Sequence, residues 1–251
     1  MNPKALLCFF PLVLCAIAPA QDAPSVDDLI ARNSAARGGA DKLKAVRTLK
    51  ITGKMVAVNG MELPMSISIK RPGMMRMEMN VQGKGIVQAF DGETAWSVNP
   101  LMGTEEPKMF TAEESRDFRD NAESFLDGPM ADYKSKGNKV EYAGKEDVEG
   151  SPAYKLKITT KRGSVIYDYV DAKTYLEVRT TAKTNQMGQE MEVDTYARDY
   201  KPEGGVMMAH LMDSKVNGAS MMKMSLDKVE VNSPLDDALF KLPAKAEPKK
   251  Q

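Results

Sequence analysis

Residues 71–83 read RPGMMRMEMNVQG. Pro72-Gly73 is a turn pair, and Gly83 opens the next turn. Between them Met75, Met77 and Met79 alternate with Arg76, Glu78 and Asn80. A period of two is the mark of a β-strand with one apolar and one polar face. The apolar face here is methionine, the most flexible of the apolar side chains. The segment before it keeps the same period, with Met61, Leu63, Met65, Ile67 and Ile69 on one face. Asn59-Gly60 in front of it is a strong hairpin signal. Two neighbouring antiparallel strands with a shared methionine-rich face follow.

Working outward, Leu49, Ile51, Met55 and Ala57 give the strand before the hairpin. Gly83-Lys84-Gly85 leads into Ile86–Phe90, and Asp91-Gly92 into Thr94–Val98, which holds the single tryptophan, Trp96. Short turns between successive strands predict an antiparallel meander. Residues 99–108 carry Pro100, Gly103 and Pro107 and read as a loop. Thr111-Ala112-Glu113-Glu114 is a capping box that opens a helical insert reaching about Lys136, with Phe110, Phe118, Phe125, Leu126, Met130 and Tyr133 as its apolar side. Strand patterns resume over 139–148, 153–161, 165–171, 176–184, 190–200, 207–216 and 221–231. At the front, Ser25-Val26-Asp27-Asp28 resembles a capping box, and Gly38-Gly39 ends that helix. No 20–50 residue repeat and no domain boundary interrupts the pattern. The expected fold is α+β: a single domain with a strongly curved antiparallel sheet, a half-barrel of about 11–12 strands, covered by helices.

The first twenty residues stand apart. Lys4 precedes an apolar run, Ala5–Ile17, and Ala18-Pro19-Ala20 precedes Gln21, the layout of a secretory signal peptide over residues 1–20. The run is too short for a membrane span, which needs about 20 apolar residues. The expected mature domain is 21–243, followed by a disordered Lys/Pro-rich tail over 244–251, with no transmembrane segment after signal removal. Both cysteines, Cys8 and Cys15, fall in the leader, so the mature chain would carry no disulfide, thiolate metal site or cysteine nucleophile. Export without cysteines or N-x-S/T sites suits a bacterial periplasm. Loss of Lys4 leaves 34 basic against 35 acidic residues. Basic residues alternate with acids, which speaks against nucleic acid as a partner.

Catalytic equipment is sparse. His210 is the single histidine, and without thiols it cannot build a usual zinc site. It reads as structural or surface; a lipid hydrolase would require it to face a cavity beside a carboxylate or serine. No nucleophile elbow and no phosphate-binding loop is present. The carboxylate pairs Glu105/Glu106, Glu113/Glu114 and Asp236/Asp237 fit solvated loops, a helix N-terminus and a capping turn. No catalytic residue, metal ligand or cofactor is assigned, and the chain is not expected to be an enzyme. What stands out is the methionine content: 19 residues, concentrated in Met55–Met79 and Met207–Met224. Strand cores usually favour Val, Ile and Leu. Methionine instead suits surfaces that adapt to more than one partner.

Several segments in order carry a family resemblance: GGADKLKAVRTLKITGKM (38–55), IKRPGMMRMEM (69–79), QAFDGETAWSVNP (88–100), EDVEGSPAYKLKI (146–158), YVDAKTYLEVR (169–179) and NSPLDDALFKLP (232–243). Together they resemble the exported bacterial outer-membrane lipoprotein-sorting-like proteins of the LolA/LolB-like superfamily. The resemblance implies a curved antiparallel half-barrel closed by helices over a hydrophobic cavity, which in the characterised carriers takes the acyl chains of lipoproteins across the periplasm. No binding residue of those carriers maps onto a segment here. Strand parity supplies the candidates instead: Leu63, Met65, Ile67, Met75, Met77 and Met79 as flexible lining, with Trp96, Phe118 and Phe125 near the mouth. The face of Arg76, Glu78 and Asn80 would meet solvent. The expected role is carriage of acyl chains of lipoproteins or lipids. The alternative is a non-catalytic envelope structural or interaction module with a filled core, binding another envelope protein.

Overall fold

A computed structural model describes residues 24–103, 105–186 and 189–243. The expected leader (1–20) and the expected tail (244–251) lie outside them. The chain begins with α1 (Val26–Ala36) and α2 (Ala40–Ala45), then makes β1 (Thr48–Ala57), β2 (Glu62–Lys70), β3 (Met74–Val81), β4 (Lys84–Phe90), β5 (Ala95–Val98) and β6 (Lys108–Met109). Helix α3 (Ala112–Asp127) crosses to β7 (Lys139–Val148), β8 (Ser151–Thr159), β9 (Val165–Asp171), β10 (Glu177–Gln186), β11 (Gln189–Glu203), β12 (Val206–Val216) and β13 (Ala219–Val231). All thirteen strands form one antiparallel sheet in the order β6-β5-β4-β3-β2-β1-β13-β12-β11-β10-β9-β8-β7. The sheet is curved and unclosed, with β6 and β7 at its two edges. One strand more than expected comes from β6, two residues at the end of what the sequence reads as a loop.

Two meanders, β1–β6 and β7–β13, meet at the β1–β13 seam, where Leu49 faces Val231, Ile51 faces Val229 and Met55 faces Met224. The register shifts between Thr52 and Gly53. A Cβ on Gly53 would stand 2.1 Å from the Ser225 carbonyl oxygen and 3.1 Å from the Leu226 Cα. The seam therefore needs a residue with no side chain at this point. Asn232 closes its end: its Oδ1 accepts from Arg47 N at 2.7 Å, and its backbone N–H donates to the Thr48 carbonyl at 2.9 Å.

Helix starts follow the sequence in part. Thr111 and Glu114 form the expected capping box, with Thr111 N donating to Glu114 Oε2 at 2.7 Å and Glu114 N to Thr111 Oγ1 at 3.2 Å. Ser25 is the N-cap of α1, but its side chain makes no capping bond. Asp28 turns to Arg32 instead, and Asp27 to Tyr133 and Lys134.

The helices cover one face of the sheet, its inner face. Leu43 and Val46 by α2, and Ala122 and Leu126 of α3, pack on Leu49, Ile51, Met65, Ile67, Ile69 and Met75. Leu29 of α1 and Met130 pack with Val140, Leu156, Ile158 and Val170. The outer face is closed differently in the two halves. Over β1–β5 lies the segment after β13. Lys70 Nζ donates to the Leu235 carbonyl at 2.8 Å, Arg76 Nη1 to that of Leu239 at 2.9 Å, and Trp96 Nε1 to that of Phe240 at 2.9 Å. Phe240 is fully buried. The Arg76 side of β3, expected to meet solvent, is thus half-covered. Over β8–β11 cationic side chains lie on the outer-face rings: the Lys155 ammonium and the Arg179 guanidinium over the buried Tyr169, and the Arg198 guanidinium and the Lys215 ammonium over Tyr196.

Candidate functional site

Directly opposed residues in an antiparallel pair share a face. Register therefore assembles the inner face strand by strand. Met75, Met77 and Met79 of β3 oppose Ile69, Ile67 and Met65 of β2. Ile69, Ile67, Met65 and Leu63 oppose Leu49, Ile51, Gly53 and Met55 of β1. Met55 opposes Met224 of β13, and Met224 opposes Met212 of β12. The result is one continuous apolar floor across five strands. Met55, Met77, Met79, Met208, Met212 and Met224 all pack on the same core, together with Phe125 of α3.

Burial falls along this floor. At one end Leu49, Ile51, Ile67 and Ile69 are fully covered. Met65 is 5% exposed; then Leu63, Met55, Met77 and Met79 are half-buried, and Met222, opposite Ala57, is 37% exposed. The rigid branched residues sit where the helices cover the sheet. Met65 and Met75 share that covered zone, and the other methionines of the floor lie where the cover ends. Shape-specific packing suits the first zone and adaptable packing the second.

Of the nine residues singled out from sequence, Leu63, Met65, Ile67, Met75, Met77 and Met79 lie together on this floor. Phe125 packs against it from α3. Phe118 pairs with Phe110, ring centroids 5.2 Å apart. Trp96 is a correction. It opposes Ala89, which opposes Arg76, so it points to the outer face and lies under the segment holding Phe240. It is 1% exposed and cannot flank a mouth on the inner face. Parity does not place it, because both faces of the short β5 are covered: Ala95 is buried as completely as Trp96. Met208, Met212 and Met224 stand out in the sequence only as a methionine-rich region. Their junction with β1–β3 depends on the β1–β13 pairing, which no local pattern announces.

His210 lies between Met208 and Met212 on the same face of β12, 5% exposed. Its Nδ1 is 3.1 Å from the Leu226 carbonyl oxygen. Its Nε2 is 3.0 Å from Glu203 Oε1 but outside hydrogen-bond alignment. A carboxylate therefore stands beside His210, but neither group reaches a serine by any hydrogen bond among the described residues.

A second feature of the inner face is polar. Asp168 of β9 is 1% exposed, and its Oδ1 accepts from Thr180 Oγ1 at 2.7 Å. Asp168 Oδ2 is buried with no hydrogen-bond partner, as is Glu177 Oε1, which lies 3.9 Å from Arg37 Nη1. Arg37 is committed to the end of α3, donating to the Asp127 carbonyl at 2.8 Å. Burial, and then the neighbouring Glu177, push the Asp168 carboxyl up to about 7. Tyr200, which donates to the Glu177 carbonyl at 2.8 Å, is likewise raised, first by burial and then by Glu177.

The sign of the Asp168 effect is fixed. The folded chain holds this proton up to about pH 7, whereas the unfolded chain releases it near 3.8. Its stabilising contribution is full below the lower value and is lost as pH rises to the upper one. Asp168→Asn should remove this fall. In urea titrations between pH 4 and 8, the variant should gain on the wild type as pH rises. Parallel profiles would contradict the account.

Among the described residues no group of three or more His, Cys, Asp or Glu is placed to hold a metal ion. No described helix is long and apolar enough to cross a membrane. A cleft of about 560 Å³ opens at the far ends of β8–β11, lined by Lys157, Tyr167, Thr181, Lys183, Glu190 and Glu192 among others, away from the floor.

The fold is that of known structures. A DUF1329 family protein from Desulfovibrio piger superposes with a TM-score of 0.58 at 12% identity, covering 86% of this chain and 97% of that one. A domain named for outer membrane lipoprotein sorting, from Vibrio parahaemolyticus, gives 0.57 at 11% identity over 86% and 97%. A LolA superfamily protein from Nitrosomonas europaea gives 0.55 at 10% identity over 87% and 98%. No family model and no curated protein sequence matches the chain. The fold is LolA/LolB-like.

Proposed function

We propose that this chain is an exported periplasmic binding protein, without catalytic activity, that holds an acyl chain of a lipoprotein or lipid on its methionine floor. The observation that carries the reading is the gradient of burial. Branched residues fill the covered end, while Met55, Met77, Met79, Met212 and Met224 stay half-buried at the other. Each buried CH₂ is worth about 0.8 kcal/mol, so a chain of about fifteen carbons supplies several kcal/mol beyond its ordering cost. The fold shared with a LolA superfamily protein and a domain named for lipoprotein sorting supports it. A fluorescent fatty acid titrated into detergent-free protein should bind saturably, one per chain, and be displaced by an unlabelled acyl chain. Linear, non-saturable uptake would refute the reading.

The second reading, an envelope interaction module with a filled core, draws on the covered end of the floor, where Ile51 and Ile69 leave no surface free. It predicts no acyl binding at all.

A further inference from the structure

Met55, Met224 and Met212 stand in one row on three adjacent strands, β1, β13 and β12, each directly opposite the next. Opposed Cβ atoms are about 5 Å apart, so the outer two lie about 10 Å from each other. All three are half-buried and pack against the same core cluster on the inner face. Methionine has three rotatable bonds, so both outer side chains can lean their sulfurs toward the central one. Leu63, beyond Met55, closes the row with a hydrocarbon. His210, two positions along β12 from Met212, has its Nδ1 at the Leu226 carbonyl and its Nε2 facing Glu203. The donors on offer in the row are therefore three neutral thioethers.

We infer that Met55, Met212 and Met224 form a binding site for one soft monovalent cation, Cu(I) or Ag(I). Thioether sulfur selects soft ions. Hard and borderline divalent ions need charged oxygen, imidazole or thiolate donors. Three uncharged sulfurs in an apolar surround hold a single positive charge more readily than a double one. This goes beyond acyl-chain carriage: it uses the sulfur atoms of the floor, where carriage uses only its apolar surface.

The test uses Ag(I), which needs no reductant, and the full chain carrying Cys8→Ser and Cys15→Ser so that thiols do not compete. Native mass spectrometry should show one Ag(I) per chain. The methyl resonances of Met55, Met212 and Met224 should shift on titration. Changing these three methionines to leucine keeps the apolar volume and should weaken Ag(I) at least about tenfold. The same change at the exposed Met102, Met109 and Met221 should leave Ag(I) binding as it was. Ag(I) binding that shifts other methionine methyls, equal affinity in the two triple variants, or no binding to the parent chain would each overturn the assignment. The methyl shifts are read on the parent chain, so the test stands even if the floor variant folds poorly.

Discussion

Gly53→Ala is expected to cost the chain about 3 kcal/mol, the upper end of the range for overpacking a core. The added Cβ would meet the Ser225 carbonyl oxygen at 2.1 Å and the Ser225 carbonyl carbon and Leu226 Cα at 3.1 Å. All three obstacles are backbone atoms, so no side chain can swing aside. Relief requires β13 to move away from β1, and β1–β13 is the only ladder joining the two meanders among the described residues. Against a typical total stability of 5–15 kcal/mol, a loss of about 3 kcal/mol is a large fraction. Gly85→Ala is the control, because a Cβ there meets nothing within 4 Å. Urea unfolding should show a lower midpoint for Gly53→Ala and little change for Gly85→Ala. Equal midpoints for Gly53→Ala and wild type would show that the seam tolerates a side chain.

Met77→Asp should lower acyl-chain affinity at least about tenfold, because a carboxylate on an apolar floor must be desolvated when the chain lands on it. Met77 is chosen because it is half-buried, opposite Ile67 on one side and Gln88 on the other. In the free protein water can still reach the new carboxylate, so the fold should survive. An aspartate at Met65, 5% exposed, would instead place a charge inside the core. Met77→Leu should bind like wild type. Displacement of a fluorescent fatty acid reads the difference. A folded Met77→Asp protein with undiminished affinity would remove the floor from the binding site.

The alternation around RPGMMRMEMNVQG is legible because each strand is long and one of its faces is buried. Strand period and hairpin turns alone are enough to put Met75, Met77 and Met79 beside Met65, Ile67 and Leu63. The α3 capping box is equally local: Thr111 and Glu114 carry it between them. What sequence leaves open is long-range. Asn232 and Thr48 are far apart in the chain yet meet at the seam. Only that meeting brings Met212 and Met224 to Met55. Trp96 misleads for a related reason. A polar strand face normally faces water, but Lys70, Arg76 and Trp96 instead hold down the segment that ends at Phe240. The buried Asp168 gives no sign in the sequence either, since β9 reads as an ordinary alternating strand. Its surroundings come from Thr180 on the next strand, Glu177 and Arg37.

The most direct test of carriage is organic extraction and mass spectrometry of the protein after expression with residues 1–20 in place and purification from a bacterial periplasm without detergent. The account predicts an acyl-bearing species at about one per chain, lost from Met77→Asp. A protein that yields no lipid and takes up neither fatty acids nor lipopeptides would contradict it and leave the methionines as core filler in an interaction module.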